Sequence, residues 1–440
     1  MSGRWTTRRF RALVRHSGPT SLIFRRRLAL IGGAVIVGLV ALAFAEFADG
    51  AGHMFEGAVA RYPYAPLAVT PLGFALIVWI TRRFAPMAAG SGIPQVIAAT
   101  RGTSGAFARL VDMPTAALKC VLTTGALLVG ASVGREGPTV QISAALLGWT
   151  HRLLQVPMRV TVMIAGGAAG VAAAFNTPLA GITFAIEELA AAYEQRMALL
   201  VITAVIVSGM VTLGLAGNYI YFGGGVEARL ALSSAIPVAL VGGFLGGLSG
   251  GLFARLTLQA ARMSNRFTDV RKRYPVAFAA ACGVLVAAIG VGTGLTWGTG
   301  YAPARALIMG EDLPLWFAPA KFIATLATTI SGIPGGIFAP SLATGAGFGQ
   351  TLRWFFPDEP ASAVVLVGMA AYFTGVVRAP LTAVIIITET TGARGFMLPL
   401  LGAALVADAS AQLLCKERLY HGLAKSFLPS APDGHATKQG

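Results

Sequence analysis

Charge is scarce in this chain. Only 12% of its 440 residues are Asp, Glu, Lys or Arg, against about 25% in a soluble domain. So few charges cannot give a hydrated surface to a globule of this size, which excludes a soluble protein. Acidic residues are scarcest, with 18 against 34 Lys and Arg, and none occurs before Glu46. Cysteine is nearly absent. Cys120, Cys282 and Cys415 are widely spaced among apolar neighbours, which argues against a disulfide framework or a thiolate metal site. The five histidines are His16, His53, His151, His421 and His435. The sequence has no His-Glu-x-x-His, no Cys-x-x-Cys and no Gly-x-x-x-x-Gly-Lys-Ser/Thr. That disfavours an intramembrane hydrolase, which needs a nucleophile with a base or a metal, and ATP-driven transport. The expectation is a protein that is not an enzyme and carries no cofactor.

Apolar residues are abundant: 55% of the chain is hydrophobic and the mean hydropathy is +0.71. Residues 28–45, 66–80, 161–175, 198–216, 235–254, 276–295, 362–376 and 396–414 form long apolar stretches. Many approach the roughly 20 residues needed to cross a bilayer. The fold class is therefore an all-α polytopic membrane protein. The 55 glycines and 23 prolines point to broken helices, which survive at membrane depth only when buried in protein or lining a cavity.

The net charge of +16 reads as the excess of Lys and Arg on cytoplasmic loops. Nucleic-acid binding is poorly supported, because the basic residues flank apolar spans. Arg4, Arg8, Arg9, Arg11, Arg15 and Arg25 to Arg27 precede the first span. Residues 1–27 read as an uncleaved basic cytoplasmic tail, with no convincing cleavage site. Residues 426–440 read as a short polar tail without room for a regulatory domain.

The transmembrane domain, 28–425, is a duplication. Gly134-Arg135-Glu136-Gly137-Pro138 precedes Gly336-Ile337-Phe338-Ala339-Pro340 by 202 positions. The same offset links Lys119 to Lys321, Pro178-Leu179 to Pro380-Leu381, and Glu187 to Glu389. Repeat one spans 28–220 and repeat two 230–420, with a glycine-rich loop over 217–230. The first copy begins at basic residues 25–27. The equivalent first helix of the second copy ends at the basic stretch 255–273. Both basic stretches belong in the cytoplasm, so the copies have opposite orientation. Inverted repeats place a transported ion near the midplane at their interface, where helices are interrupted.

Three interruptions stand out: Gly90-Ser91-Gly92-Ile93-Pro94, Gly134 to Pro138, and Gly332 to Pro340. Each allows a proline in the first turn of a new helix. Free amides and the helix dipole then favour an anion without a full positive charge; the alternative is simple kinks. Ser91 offers a hydroxyl, although a serine between glycines is usually packing. Glu136 lies between apolar runs, where a carboxylate is costly and functional by default. Its carboxylate can occupy the proposed anion site and leave when protonated, unless it is a partner for Arg135. Glu187 and Glu188 end an apolar run. They are either an interfacial pair or include an acceptor of cytoplasmic protons. Tyr420, after the last span, has the position of an interfacial anchor.

Gly-Ser-Gly-Ile-Pro at 90–94, Gly-Arg-Glu-Gly-Pro-Thr-Val at 134–140, Asn176 to Gly181 followed by Glu187-Glu188, and Gly-Gly-Ile-Phe-Ala-Pro at 335–340 closely resemble motifs of the CLC chloride channel and transporter family. The resemblance covers nearly all of 30–425. It implies about eighteen helices, many tilted or short, in two inverted halves. It also implies a homodimer with one pathway per subunit. By motif position, Ser91 and Tyr420 would supply hydroxyls to chloride, and the amides of Ile337 and Phe338 would complete that site. Glu136 would be the external gate and proton carrier, and Glu188 the internal proton acceptor. The motif around Tyr420 fits more loosely than the others. Ser91 suits chloride rather than nitrate or fluoride. Both glutamates together resemble a prokaryotic chloride/proton antiporter, expected in a bacterial inner membrane, rather than a passive chloride channel on the same fold.

Overall fold

The computed structural model describes residues 19–102, 110–157, 159–190, 195–217, 219–224, 230–262 and 266–428. Arg4, Arg8, Arg9, Arg11 and Arg15, much of the loop between the repeats, and residues 429–440 lie outside the described residues.

The described residues form eighteen α-helices. In the first copy these are α1 (Pro19–Arg61), α2 (Pro66–Phe84), α3 (Ile93–Arg101), α4 (Met113–Leu128), α5 (Glu136–Leu153), α6 (Val160–Phe175), α7 (Pro178–Phe184) and α8 (Gln195–Ala216). The second copy has α9 (Leu232–Arg262), α10 (Arg266–Arg273), α11 (Pro275–Thr293), α12 (Tyr301–Ile308), α13 (Phe317–Ser331), α14 (Phe338–Leu352), α15 (Ala361–Val377), α16 (Pro380–Thr391) and α17 (Met397–Leu414). Then comes α18 (Leu419–Ala424). A π-helical turn, Ala185–Leu189, extends α7. The first helix begins at Pro19, so Arg25 to Arg27 are helical. Arg25 caps the far end of α5, donating from Nε to the Leu154 carbonyl at 2.9 Å.

Opposite orientation of the copies is visible in the packing. The ends of α2 and α9 meet α10 and the start of α11 around one cavity, lined by Arg82, Ala261, Arg271 and Lys272. Helix α2 returns to the face where α1 began. Helix α9 ends on that face, so it runs against its repeat partner α1. The copies also touch as a two-fold pair. Gly134 and Gly336 form an antiparallel bridge, with N–H to carbonyl distances of 2.8 and 2.7 Å.

Six helical segments are long and apolar enough to cross a membrane: Leu22–Arg61, Pro66–Phe84, Met197–Ala216, Ser233–Arg262, Pro275–Thr293 and Met397–Leu414. Their outer faces remain apolar, as with Leu72, Leu76 and Trp79 on α2, and Leu199, Ile206 and Met210 on α8. In a bilayer this is the lipid- or partner-facing surface. The shorter helices α5, α6, α14 and α15 are buried over nearly their whole length. Small residues permit this packing. A Cβ on Gly166 of α6 would stand 2.9 Å from Ala144 Cα of α5. The long helices therefore enclose an inner group of short ones, and the breaks between short helices meet there.

Candidate functional site

The N-termini of α3, α5 and α14 converge. The Gly134–Gly336 bridge places α5 beside α14. Gly92, at φ 105°, turns the chain into α3, and a Cβ there would lie 2.9 Å from the Gly137 carbonyl. A Cβ on Gly137 would in turn meet Ser91 Oγ and stand 3.2 Å from Gly336 Cα. Pro94, Pro138 and Pro340 all fall in the first turn of their helices, where a missing N–H costs nothing.

None of these three helices has a side-chain cap from its own N-cap residue. Helices α7 and α16 differ, because each is capped by the opposite copy. Glu187 accepts from Leu381 N at 3.0 Å, Thr382 N at 2.7 Å and Thr382 Oγ1 at 2.6 Å. Glu389 accepts from Ala180 N at 2.8 Å and Leu179 N at 3.3 Å. Carboxylates thus hydrogen-bond to two of the helix N-termini at the repeat interface, while three others keep amides without intrahelical acceptors, those of α14 facing only the carboxylate of Glu136. Anion attraction is available at those three.

Unsatisfied polar atoms gather at the same place. Ser91 Oγ, the Tyr420 hydroxyl and both oxygens of Glu136 are buried, close to polar neighbours but aligned with none of them as full hydrogen bonds. A buried polar group without a partner is costly, so a cluster of them marks a place for a ligand or for moving groups. Tyr420 neighbours Ser91, and its ring centroid lies 5.9 Å from that of Phe338. Ile337 is the N-cap residue of α14 and Phe338 its first residue. Phe338 also packs against Phe175, Phe184 and Phe373, at 6.3, 5.8 and 5.0 Å between centroids. The aromatic shell leaves the helix-end amides in an apolar setting, where their field is weakly screened.

The Glu136 carboxylate faces the backbone N–H groups of Glu136 and Ala339, at the entrance to α14. The Arg135 guanidinium points elsewhere. It donates to the Ala45 carbonyl at 2.7 Å and pairs with Asp49 at 2.5 Å. The Arg135 alternative is thus not adopted, since the guanidinium's ion pair is with Asp49.

Glu187 and Glu188 have separate surroundings. Glu187 is the half-buried cap described above. Glu188 is fully buried, and His421 Nε2 approaches its Oε2 at 3.1 Å. The sequence held a signal for this difference. Glu187 has a repeat partner, Glu389, and both do the same structural task. Glu188 is matched by Thr390, so it is not part of the symmetric scaffold.

Two buried lysines escaped a functional assignment from sequence. Lys119 donates to the carbonyls of Ala88 and Gly90 at 2.8 and 2.6 Å, pinning the loop before Ser91. Its partner by the 202 offset, Lys321, donates to the carbonyls of Thr296, Gly298 and Trp297 at 2.9, 2.8 and 3.3 Å. Each amine holds carbonyls rather than a carboxylate, so the two lysines fix the backbone leading into α3 and α12. Their repeat-matched positions in apolar sequence were the available clue. Arg135–Asp49 and His421 carried no comparable pattern. Among the described residues, no group of three or more His, Cys, Asp or Glu side chains could hold a metal ion.

The profile of the voltage gated chloride channel family matches residues 73–412. The chain belongs to the CLC family. This CLC chain is 31% identical over 439 residues to the H(+)/Cl(-) exchange transporter ClcA of Salmonella agona, covering 93% of this chain and 89% of that one. It is similar in structure to a slow cyanobacterial Cl−/H+ antiporter, with a TM-score of 0.77, 25% identity, and coverage of 91% and 97% of the two chains. A CLC-type fluoride/proton antiporter shares the fold, with a TM-score of 0.75 at 21% identity, covering 93% of this chain and 99% of that one.

Proposed function

We propose that this CLC protein is a chloride/proton antiporter. The observation that carries the reading is the pair of fully buried carboxylates, Glu136 and Glu188, associated with one cluster of uncapped helix ends and unpartnered hydroxyls. Chloride would bind between Ser91, Tyr420 and the amides of Ile337 and Phe338. Dipoles and hydroxyls attract it without a full charge, so it can also leave.

Ionised, Glu136 stands where an incoming anion would stand, against the amide of Ala339. Protonated, it loses the charge that holds it there and swings out, delivering its proton to the far side and opening the path. Glu188, near the basic face, takes up protons from the cytoplasm. The aromatic packing around Phe338 lies within the site that joins the two carboxylates. In this reading chloride and protons share the outer segment at Glu136, and Glu188 gives protons a cytoplasmic route of their own. The relatives named as exchange transporters favour the same reading, as does chloride over fluoride for a site carrying Ser91. A homodimer with one pathway per subunit, in a bacterial inner membrane, belongs to the proposal.

The test is flux in liposomes. An outward chloride gradient should drive sustained proton uptake with no imposed proton gradient, and reversing the gradient should reverse the proton flow. Glu136→Gln or Glu136→Ala should retain chloride movement and lose proton coupling. Chloride efflux from the unsubstituted protein without proton movement above leak would make it a passive channel. Coupled proton flux in the Glu136 variants would remove Glu136 from the gate.

A further inference from the structure

We infer that His421 relays protons from cytoplasmic solvent to Glu188, an assignment that rests on the antiporter reading. Glu188 is fully buried, so solvent does not reach its carboxylate directly. His421 does: its side chain is 16% exposed while its buried Nε2 approaches Glu188 Oε2 to 3.1 Å, so that a small ring rotation would align the two. The imidazole therefore bridges the solvent boundary and the buried carboxylate.

The ring orientation follows from its other neighbour. Arg101, exposed at the end of α3, places Nη2 against His421 Nδ1. A guanidinium has only donors, so Nδ1 accepts, and the neutral ring carries its proton on Nε2, facing Glu188. The remaining charged groups around α18 are engaged elsewhere. Arg418 donates to the Glu187 carbonyl at 2.8 Å, and the Glu187 carboxylate caps α16. Arg262 of α9 and Lys425 both pair with Glu417. Arg378, at the end of α15, pairs with Asp408 at 2.8 Å.

The transfer balances as follows. A cytoplasmic proton binds Nδ1, displacing Arg101 by charge repulsion, and the ring becomes imidazolium. The Nε2–H bond breaks and its proton bonds to Glu188 Oε2. The products are a neutral carboxylic acid and a neutral imidazole protonated at Nδ1. To reset, the ring turns out to solvent, where Nε2 takes a proton from water and Nδ1 gives one up, and the restored tautomer returns and lets Arg101 re-engage. Tyr420 is the preceding residue on the same six-residue helix, so the proton entry and the chloride-facing hydroxyl move as one element.

The experiment compares the full chain with His421→Ala and His421→Gln in liposomes under a chloride gradient, with and without imidazole. Only variants with the unsubstituted protein's size-exclusion profile are compared. Glu188→Gln in imidazole supplies the leak. Initial proton flux should fall about a hundredfold or more in both variants, the scale of a missing proton-transfer group. Imidazole should restore the flux in His421→Ala, where it can enter the vacated space, and not in His421→Gln, where the side chain fills it. Undiminished flux in either variant overturns the relay. So does a lowered flux in His421→Ala that imidazole leaves unchanged, since a packing role alone gives no rescue. Coupled flux in Glu188→Gln would instead remove the antiporter reading's internal acceptor, a failure separable from that of His421.

Discussion

Glu187→Gln and Glu188→Gln are neighbouring substitutions of the same chemistry, and the structure predicts opposite consequences. Glu187 accepts three hydrogen bonds from Leu381 and Thr382, each to a charged acceptor. Such bonds contribute roughly 1.5–3 kcal/mol apiece, less at a half-buried position. Glutamine keeps one acceptor oxygen and turns an NH2 group toward a backbone N–H, so the net cost is about 2 kcal/mol. The loss falls on the contact that holds α16 to the other copy. Glu188 has the reverse situation, because its buried charge has one imidazole contact and no cap to provide. Removing a poorly compensated buried charge is neutral or stabilising. Thermal unfolding in detergent should therefore show Glu187→Gln lowered by about 2–5 °C and Glu188→Gln unchanged or raised. Liposome flux should show proton coupling kept in Glu187→Gln and lost in Glu188→Gln. If coupling is lost in Glu187→Gln and kept in Glu188→Gln, the division between cap and proton acceptor is wrong.

Three further outcomes follow from geometry. Gly137→Ala puts a Cβ against Ser91 Oγ and within 2.9 Å of the Ser91 carbonyl, and should weaken chloride binding at least tenfold by calorimetry while the protein still elutes as folded. Asp49→Asn removes the ionic partner of Arg135 and frees that guanidinium to hold Glu136, so turnover should fall several-fold with an unchanged chloride-to-proton ratio. Glu417 is held down to about 2 by its bond to Arg262 and by Lys425. This is a depressed carboxylate, so the stability it adds is complete above its unfolded value of about 4.3 and is lost as pH falls toward about 2. The unfolding temperature of Glu417→Gln should lie below that of the unsubstituted protein by a constant gap from pH 7 to 5, and the gap should close only in stronger acid.

Much of the architecture was legible because it is written in periodic apolar runs and in the 202-residue offset. That offset pairs α4 with α13, α5 with α14 and α7 with α16, to within two residues at their starts. It also pairs Asn176 with Arg378, which both end their helices in the left-handed conformation, at φ 57° and 65°. The breaks at Ser91, Glu136 and Phe338 were visible as Gly/Pro clusters, since these residues act on the local backbone. Side-chain partnerships were not legible. Arg135 adjoins Glu136 in sequence, yet its partner is Asp49, 86 positions away. His421 is 233 positions from Glu188.

The sequence by itself determined the membrane class, the duplication, the opposed orientation of its halves and the positions at which helices break. All of these depend on hydropathy, backbone preference and loop charge, which act over neighbouring residues. Only the tertiary structure decided which helix ends remain uncapped, which of two adjacent glutamates joins the copies, and which histidine reaches the buried one. Those outcomes depend on where the direction of each side chain meets another segment. Burial at membrane depth makes each such meeting consequential, because a polar group there has no water to replace a missing partner.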